Sequence, residues 1–272
     1  MADKRPIGVF DSGLGGLTVV KELLKALPHE NIIYFGDTGR VPYGTRSSAT
    51  IKKYAAEDEN FLLQKDVKII IAACGTVSSV ASDVAEKLPV PYFEVVSHAA
   101  KAAVAATKNG KIGVLGTMAT VNSGKHEAYI KELMPKAEVT ACGCTMFVPL
   151  VEEGWFSPDD IVVLETVKRY LAPVIEAGVD TVILGCTHYP VLSEAIAKVL
   201  GESVTLINAG TAVADAVSNF LLEKDMLGDS EKCGDYEFFV SDKPSSFLKT
   251  ASVLLGDAID EGKVKQVTLG SL

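Results

Sequence analysis

The sequence predicts an α/β protein in which parallel strands are flanked by helices, and two observations carry that reading. Short apolar runs alternate with longer amphipathic stretches along most of the chain. The chain also echoes itself: Ile7-Gly8-Val9 recurs as Ile112-Gly113-Val114, and Lys68-Ile-Ile-Ile-Ala-Ala-Cys74 resembles Asp180-Thr-Val-Ile-Leu-Gly-Cys186 at a closely similar offset. Two similar offsets suggest two related α/β halves; the alternative is coincidence among common strand sequences. Each half would place a cysteine at the C-terminal end of a buried strand, where open parallel sheets bind ligands.

Taken in order, the short β-branched and apolar runs Ile7–Ser12, Ile32–Asp37, Lys68–Cys74, Tyr92–Val96, Lys111–Thr117, Val139–Cys142, Thr181–Thr187, Val204–Ala209, Tyr236–Ser241 and Gln266–Leu269 are predicted strands. Apolar residues recur at helical spacing in Leu17–Leu27, Ser48–Gln64, Val77–Leu88, His98–Thr107, Lys125–Leu133, Asp159–Ala177, Val191–Leu200, Thr211–Lys224 and Phe247–Gly256, which are predicted helices. No low-complexity linker interrupts the pattern.

The chain has 272 residues, 48% hydrophobic and 22% charged, enough to bury a sizeable core and unlike a disordered or fibrous protein. Lys+Arg 26 against Asp+Glu 35 gives a net charge of −9, the wrong mean field for non-specific phosphate contacts, so no nucleic-acid partner is expected. Met1 to Pro6 is polar and runs straight into Ile7, with no apolar signal segment. The longest uncharged stretch, Ile69 to Ser82, falls short of a membrane span, and five cysteines are too few and too odd in number for a disulfide scaffold. A soluble, cytoplasmic protein with reduced thiols and no membrane partner is the expectation.

Asp11-Ser12-Gly13-Leu14-Gly15-Gly16-Leu17 follows a strand and opens a helix, so its glycines let backbone N–H groups approach an anion. It lacks the spacing of a dinucleotide or phosphate-loop fingerprint. Asp37 ends the second strand ahead of the turn Pro42-Tyr43-Gly44. Ala73-Cys74-Gly75-Thr76 and Gly185-Cys186-Thr187-His188 each set a thiol at a strand end before a helix N-terminus, a position that lowers a thiol pKa. Cys142, Cys144, His126 and His188 match no common zinc spacing, so no metal is expected. Cys142, Cys144 and Cys233 read as structural, and His29, His98 and His126 as surface or helix-end residues. Trp155 fits a cleft cover, a core or an interface.

Asp11-Ser-Gly-Leu-Gly-Gly-Leu17, Gly36-Asp37 with Pro42-Tyr43-Gly44, Ala73-Cys74-Gly-Thr76, Leu115-Gly-Thr117 with Thr120-Val121, and Gly185-Cys-Thr-His-Tyr-Pro190 together resemble the ordered motif series of the glutamate racemase family, within the aspartate/glutamate racemase superfamily, from Ile7 to about Ala216. The resemblance implies two similar domains, residues 1–97 plus 209–272 and residues 98–208, each a mostly parallel sheet flanked by helices, with the active site in the cleft between them. It implies cofactor-independent conversion of L-glutamate to D-glutamate for cell-wall peptidoglycan, and a homodimer. Cys74 and Cys186 become the two proton donor/acceptors, assisted by Asp11 and His188. Substrate binding falls to Asp11, Ser12, Tyr43, Gly44, Gly75, Thr76, Thr117, Thr187 and His188, with Asp37, Glu152 and Glu153 as candidate assisting acids. Family members carry Asn where Gly75 stands, so a side-chain amide is missing, and restoring Asn there is expected to tighten glutamate binding.

Inverting an α-carbon requires removing its proton from one face and delivering another to the opposite face, so one thiolate and one thiol must flank the substrate and titrate as a pair. The competing readings are a racemase of the same superfamily acting on aspartate, a non-catalytic anion-binding module and a dithiol redox protein.

Overall fold

Both copies of Ile-Gly-Val become interior strands of parallel sheets, β1 (Ile7–Asp11) and β5 (Lys111–Gly116). Strand β1 pairs with β2 (Ile32–Gly36) and β3 (Ile69–Ala72), and β5 pairs with β6 (Glu138–Gly143) and β7 (Thr181–Leu184). Beyond them lie β4 (Tyr92–Glu94) and β8 (Thr205–Asn208), so the orders β2-β1-β3-β4 and β6-β5-β7-β8 are the same. The sequence echo is therefore topological, and every pairing is parallel. Strands β9 (Tyr236–Val240) and β10 (Val264–Gln266) extend the first sheet past β2 to six strands; the second has four. The computed structural model describes residues 3–228, 231–255, 259 and 261–269.

The helices are α1 (Leu17–Ala26), α2 (Ser48–Leu63), α3 (Gly75–Val80), α4 (Val95–Ala106), α5 (Met118–Ser123), α6 (Lys125–Leu133), α7 (Phe147–Glu152), α8 (Ile161–Glu176), α9 (Ser193–Leu200), α10 (Ala209–Glu223) and α11 (Pro244–Leu255). The chain leaves the first sheet after β4 through α4 and returns from β8 through α10. Glu94 caps α4 by accepting from Val96 N at 2.6 Å and Ser97 N at 2.8 Å, and Asn208 caps α10 by accepting from Gly210 N at 2.9 Å. One buried cluster joins Val9 and Ile71 of the first sheet to Val114 and Ile183 of the second through Ala99 of α4 and Val213 of α10. Each buried Val or Ile of this cluster contributes about 1.5–3 kcal/mol by leaving water.

Several elements differ from the sequence reading. The predicted helix Val77–Leu88 is broken: α3 starts at Gly75 and stops at Val80, and a short 3₁₀ turn follows at Val84–Lys87. Ser78 Oγ donates to Ala72 O at 3.3 Å and Ser79 Oγ to Gly75 O at 2.6 Å, side-chain bonds that compete with helix propagation. The last strand is Val264–Gln266, ahead of the predicted Gln266–Leu269, whose Val267 and Leu269 pack on a core cluster instead. Helices α5 and α7 were hidden in segments with little amphipathic length. The predicted end of the last helix, Gly256, lies outside the described residues, as do residues 1, 2 and 270–272. No helix among the described residues is long and apolar enough to cross a membrane.

Candidate active site

The C-terminal ends of β1, β3, β5 and β7 converge on one cleft of about 310 Å³. Cys74 follows β3 as the N-cap residue of α3, and Cys186 follows β7, so equivalent strands of the two sheets deliver the two thiols. Ser12, Tyr43, Gly44, Gly75, Thr76, Thr117, Glu152, Thr187 and His188 line the same cleft. All five cysteines are free.

Cys74 is buried and its thiol donates to Ser12 Oγ at 3.5 Å. Burial, reinforced by the Asp11 carboxylate, pushes this thiol up to about 12, so it holds its proton at neutral pH. Asp11 accepts on Oδ2 from Gly13 N at 3.2 Å and Gly16 N at 2.9 Å, while buried Oδ1 has no hydrogen-bond partner among the described residues. Burial raises its pKa, and His188 and the backbone donors oppose that rise. The turn it organises is clamped from the other side, because the Tyr34 hydroxyl donates to Gly13 O at 2.8 Å.

Cys186 has a different neighbour. His188 Nδ1 lies 3.9 Å from its Sγ, and His188 Nε2 lies 3.3 Å from Glu152 Oε1 without hydrogen-bond alignment. Burial alone would depress the imidazole, yet Cys186 and Glu152 raise His188 to about 10. The result is an imidazolium beside one thiol and a carboxylate near the other, a lasting asymmetry between the two strand ends.

Hydroxyls close the seam between the sheets. Thr117 caps α5 by accepting from Thr120 N at 3.2 Å, and its Oγ1 lies 3.2 Å from Thr76 Oγ1 and 3.0 Å from Thr120 Oγ1. Thr18 donates to Thr187 O at 2.8 Å and shares that hydrogen with Gly15 O at 2.9 Å.

Pro42, Tyr43, Gly44 and Thr45 line the cleft, but the Tyr43 hydroxyl is engaged by Asp37 and Asp58, which do not. It donates to Asp37 and lies 3.0 Å from Asp58 Oδ2. Arg40 unites this group, donating to Asp37 Oδ2 at 2.5 Å, to Asp58 Oδ1 at 3.0 Å and to Glu57. Ser241 donates to Asp37 Oδ1 at 2.8 Å. Asp37 thus stands behind Tyr43 and outside the lining of the cleft. Burial and the neighbouring Asp37 hold the Asp58 carboxyl well above the usual range. Of the two glutamates offered by the sequence, Glu152 lines the cleft, and Glu153 closes α7 exposed to solvent.

His126, read as a surface or helix-end residue, does lie in the first turn of α6, but it is 4% exposed rather than on the surface and packs beneath Gly185, where burial lowers its pKa to about 4. At position 75, a Cβ built on the glycine would lie 2.3 Å from the Gly185 carbonyl oxygen, so a side chain there requires the backbone to shift. Sequence reasoning also missed Cys144, Thr145, Val148 and Met118 as cleft residues, none of which sits in a recognisable pattern. Trp155, 53% exposed, is not among the lining residues. No group of three or more His, Cys, Asp or Glu among the described residues is placed to hold a metal ion.

Residues 7–217 match the Asp/Glu/hydantoin racemase family. The chain is 42% identical over 266 residues to glutamate racemase of Geobacter metallireducens, covering 97% of each protein. It superposes on the crystal structure of Francisella tularensis glutamate racemase in complex with D-glutamate with a TM-score of 0.90 at 39% identity, covering 98% of each chain. For the Bacillus anthracis isoform RacE1 the TM-score is 0.92 at 38% identity, covering 97% of this chain and 98% of that one. With equivalent strands of two like sheets ending in paired thiols at a common cleft, the chain belongs to the Asp/Glu/hydantoin racemase family.

Proposed function

We propose that the protein is an isomerase that interconverts L- and D-glutamate by moving the α-proton directly between two thiols, with no cofactor taking part. The observation that carries this reading is the placement of Cys74 and Cys186 at the ends of equivalent strands on one cleft. Identity of 42% to a glutamate racemase over nearly the whole chain supports glutamate as the substrate.

In each turnover one cysteine takes the α-proton from one face and the other delivers a proton to the opposite face, so the pair alternates between its two protonation states. Cys74, held as a thiol by burial and Asp11, is suited to deliver; Cys186, beside the His188 cation, is suited to accept, with His188 balancing the charge. The hydroxyls of Ser12, Thr76, Thr117 and Thr187, with the backbone of the strand-end turns, surround the place where negative charge grows on the α-carboxylate in the carbanion-like transition state. A dry, closed cleft strengthens each of these contacts.

The division of the chain that goes with this reading is residues 1–97 plus 209–272 and residues 98–208, since β1–β4, β9 and β10 share one sheet and β5–β8 the other. D-Glutamate made this way would enter peptidoglycan precursors in the cytoplasm. A homodimer is the assembly we favour, with exposed Ile161 and Leu222 as apolar contact material, and sedimentation velocity tests it.

The experiment is incubation with L-glutamate in D₂O without pyridoxal phosphate, with L-aspartate in parallel. The expected product is D-glutamate carrying α-deuterium, formed faster than any D-aspartate. Absence of α-exchange with glutamate overturns the reading, and faster turnover of aspartate transfers it to the alternative substrate.

A further inference from the structure

The Gly185-Cys-Thr-His-Tyr-Pro190 segment contains one large side chain that the proposed reaction leaves without a task. Tyr189 is fully buried and borders the cleft beside Cys186 and His188. Its backbone closes the turn that carries both, since Tyr189 N donates to Cys186 O at 3.0 Å. Its hydroxyl crosses to the strand end on the other flank of β5, where it donates to Cys144 O at 2.9 Å. Burial pushes the pKa of that hydroxyl well above the usual range, so it remains a donor.

Cys144 O is the anchor of α7. The same oxygen accepts from Phe147 N at 3.2 Å, at the first residue of that helix. The buried Phe147 ring stands edge-on to the Tyr189 ring, with centroids 5.1 Å apart, and to the Tyr170 ring at 5.3 Å. The Tyr170 hydroxyl in turn accepts from Met146 N at 3.2 Å. With six residues, fewer than two turns, α7 is held in place by this packing and not by its own hydrogen bonds. Glu152 is its last residue, and the carboxylate faces His188 Nε2 at 3.3 Å with the side chain 44% exposed. A carboxylate that exposed gains little from pairing on its own, because water competes for it and side-chain freedom is lost. Where Glu152 stands therefore depends on where α7 is held, and Tyr189 holds the helix and the histidine turn at once.

We propose that Tyr189 is a positioning residue that fixes Glu152 against His188, through its hydroxyl on Cys144 O and its ring on Phe147. It acts on the reaction through the His188 cation. The groups that face this cation are Cys186 in the same turn, Glu152 of α7 and Asp11 at the end of β1, and Tyr189 bears on Glu152 among them. The kinetic part of this inference rests on the racemase reading; the placement of Glu152 does not.

The test is Tyr189→Phe, compared with Glu152→Gln and with the double variant. The ring is kept and Cys144 O retains the Phe147 amide, so the change is confined to one hydrogen bond. The His188 titration is read in the ligand-free protein by NMR of carbon-13-labelled imidazoles, its signal assigned by loss in His188→Asn. The parent ring titrates at about 10. Glu152→Gln lowers that midpoint by about one pH unit, as loss of a neighbouring opposite charge does, and Tyr189→Phe lowers it by about half a pH unit or more. The double variant titrates with Glu152→Gln alone, because the hydroxyl acts through the carboxylate. A merely structural hydroxyl would lower Tm and leave the titration where it is. Parent-like titration in Tyr189→Phe overturns the proposal, and so do additive shifts in the double variant or a Glu152→Gln change that leaves His188 unmoved. If Tyr189→Phe does not fold, Phe147→Leu tests the same hold on α7 from the other side of the ring contact: a lowered midpoint supports the proposal, and a parent-like one overturns it. With glutamate, the alkaline limb of kcat/KM moves with the titration. If the parent does not exchange the α-proton of glutamate, the racemase reading fails alone, because the NMR comparison needs no substrate.

Discussion

His188 Nδ1 lies 3.9 Å from Cys186 Sγ, and the ring's other nitrogen faces Glu152 at 3.3 Å. Its folded pKa, about 10, lies above the ordinary 6.5. The cation and its attraction to Cys186 and Glu152 are thus present at neutral pH and lost as pH rises through about 10. The account predicts that kcat/KM for glutamate falls above about pH 10, and that His188→Asn lowers kcat about 10²–10⁴-fold and removes that limb. A pH profile of parent and variant checks both.

The account has Glu152 act through His188, whose Nε2 it faces at 3.3 Å. Its side chain is 44% exposed, so the pair is screened by salt. Glu152→Gln is expected to shift the alkaline limb towards neutrality with only a modest loss of kcat at pH 7. Glu153→Gln, at an exposed position away from the cleft, is expected to leave the profile unmoved.

Arg40 donates to Asp37, Glu57 and Asp58, with Lys53 only at 3.9 Å from Glu57 Oε1, and Asp37 and Asp58 have fully buried side chains. Removing one partner of a buried ionic cluster strands the rest, so Arg40→Ala is expected to cost about 3–5 kcal/mol of stability by urea unfolding. Tyr43→Phe removes one hydroxyl from the same cluster and is expected to cost about 1–2 kcal/mol.

Glu59 is buried on α2, and its Oε1 has no hydrogen-bond partner among the described residues. Burial raises its pKa from 4.5 to about 8. Between those two values the unfolded chain releases a proton that the folded protein keeps, so stability falls as pH rises through this window. The slope is at most about 1.4 kcal/mol per pH unit. Glu59→Gln is expected to flatten the dependence and raise Tm at pH 8 more than at pH 5; an unchanged slope contradicts the assignment.

The strands and the two thiols were legible in the sequence because each rests on a local signal: Ile69-Ile70-Ile71 is a run too apolar and too short for anything but a buried strand, and it ends at once in Cys74. The echo in Asp180 to Cys186 located the second site in the same way. What escaped depends on residues remote in the chain. The Tyr43 hydroxyl is drawn from the cleft by Asp37, to which it donates, and by Asp58 of α2 at 3.0 Å. His126 is buried because Gly185 lies over it, and Gly75 is closed to a side chain by a carbonyl of the other sheet's strand end. Nothing next to Gly75 in the sequence predicts that carbonyl, which a Cβ at this position would meet at 2.3 Å.

The central claim is that one thiol serves each face of the α-carbon, and exchange without inversion tests it most directly. Cys74→Ala and Cys186→Ala are each incubated with L- and with D-glutamate in D₂O, and α-deuteration is followed by NMR alongside optical rotation. The account predicts that neither variant racemises, that each still exchanges the α-proton of one enantiomer, and that the two variants exchange opposite enantiomers. Racemisation by either variant, or exchange of the same enantiomer by both, would contradict it.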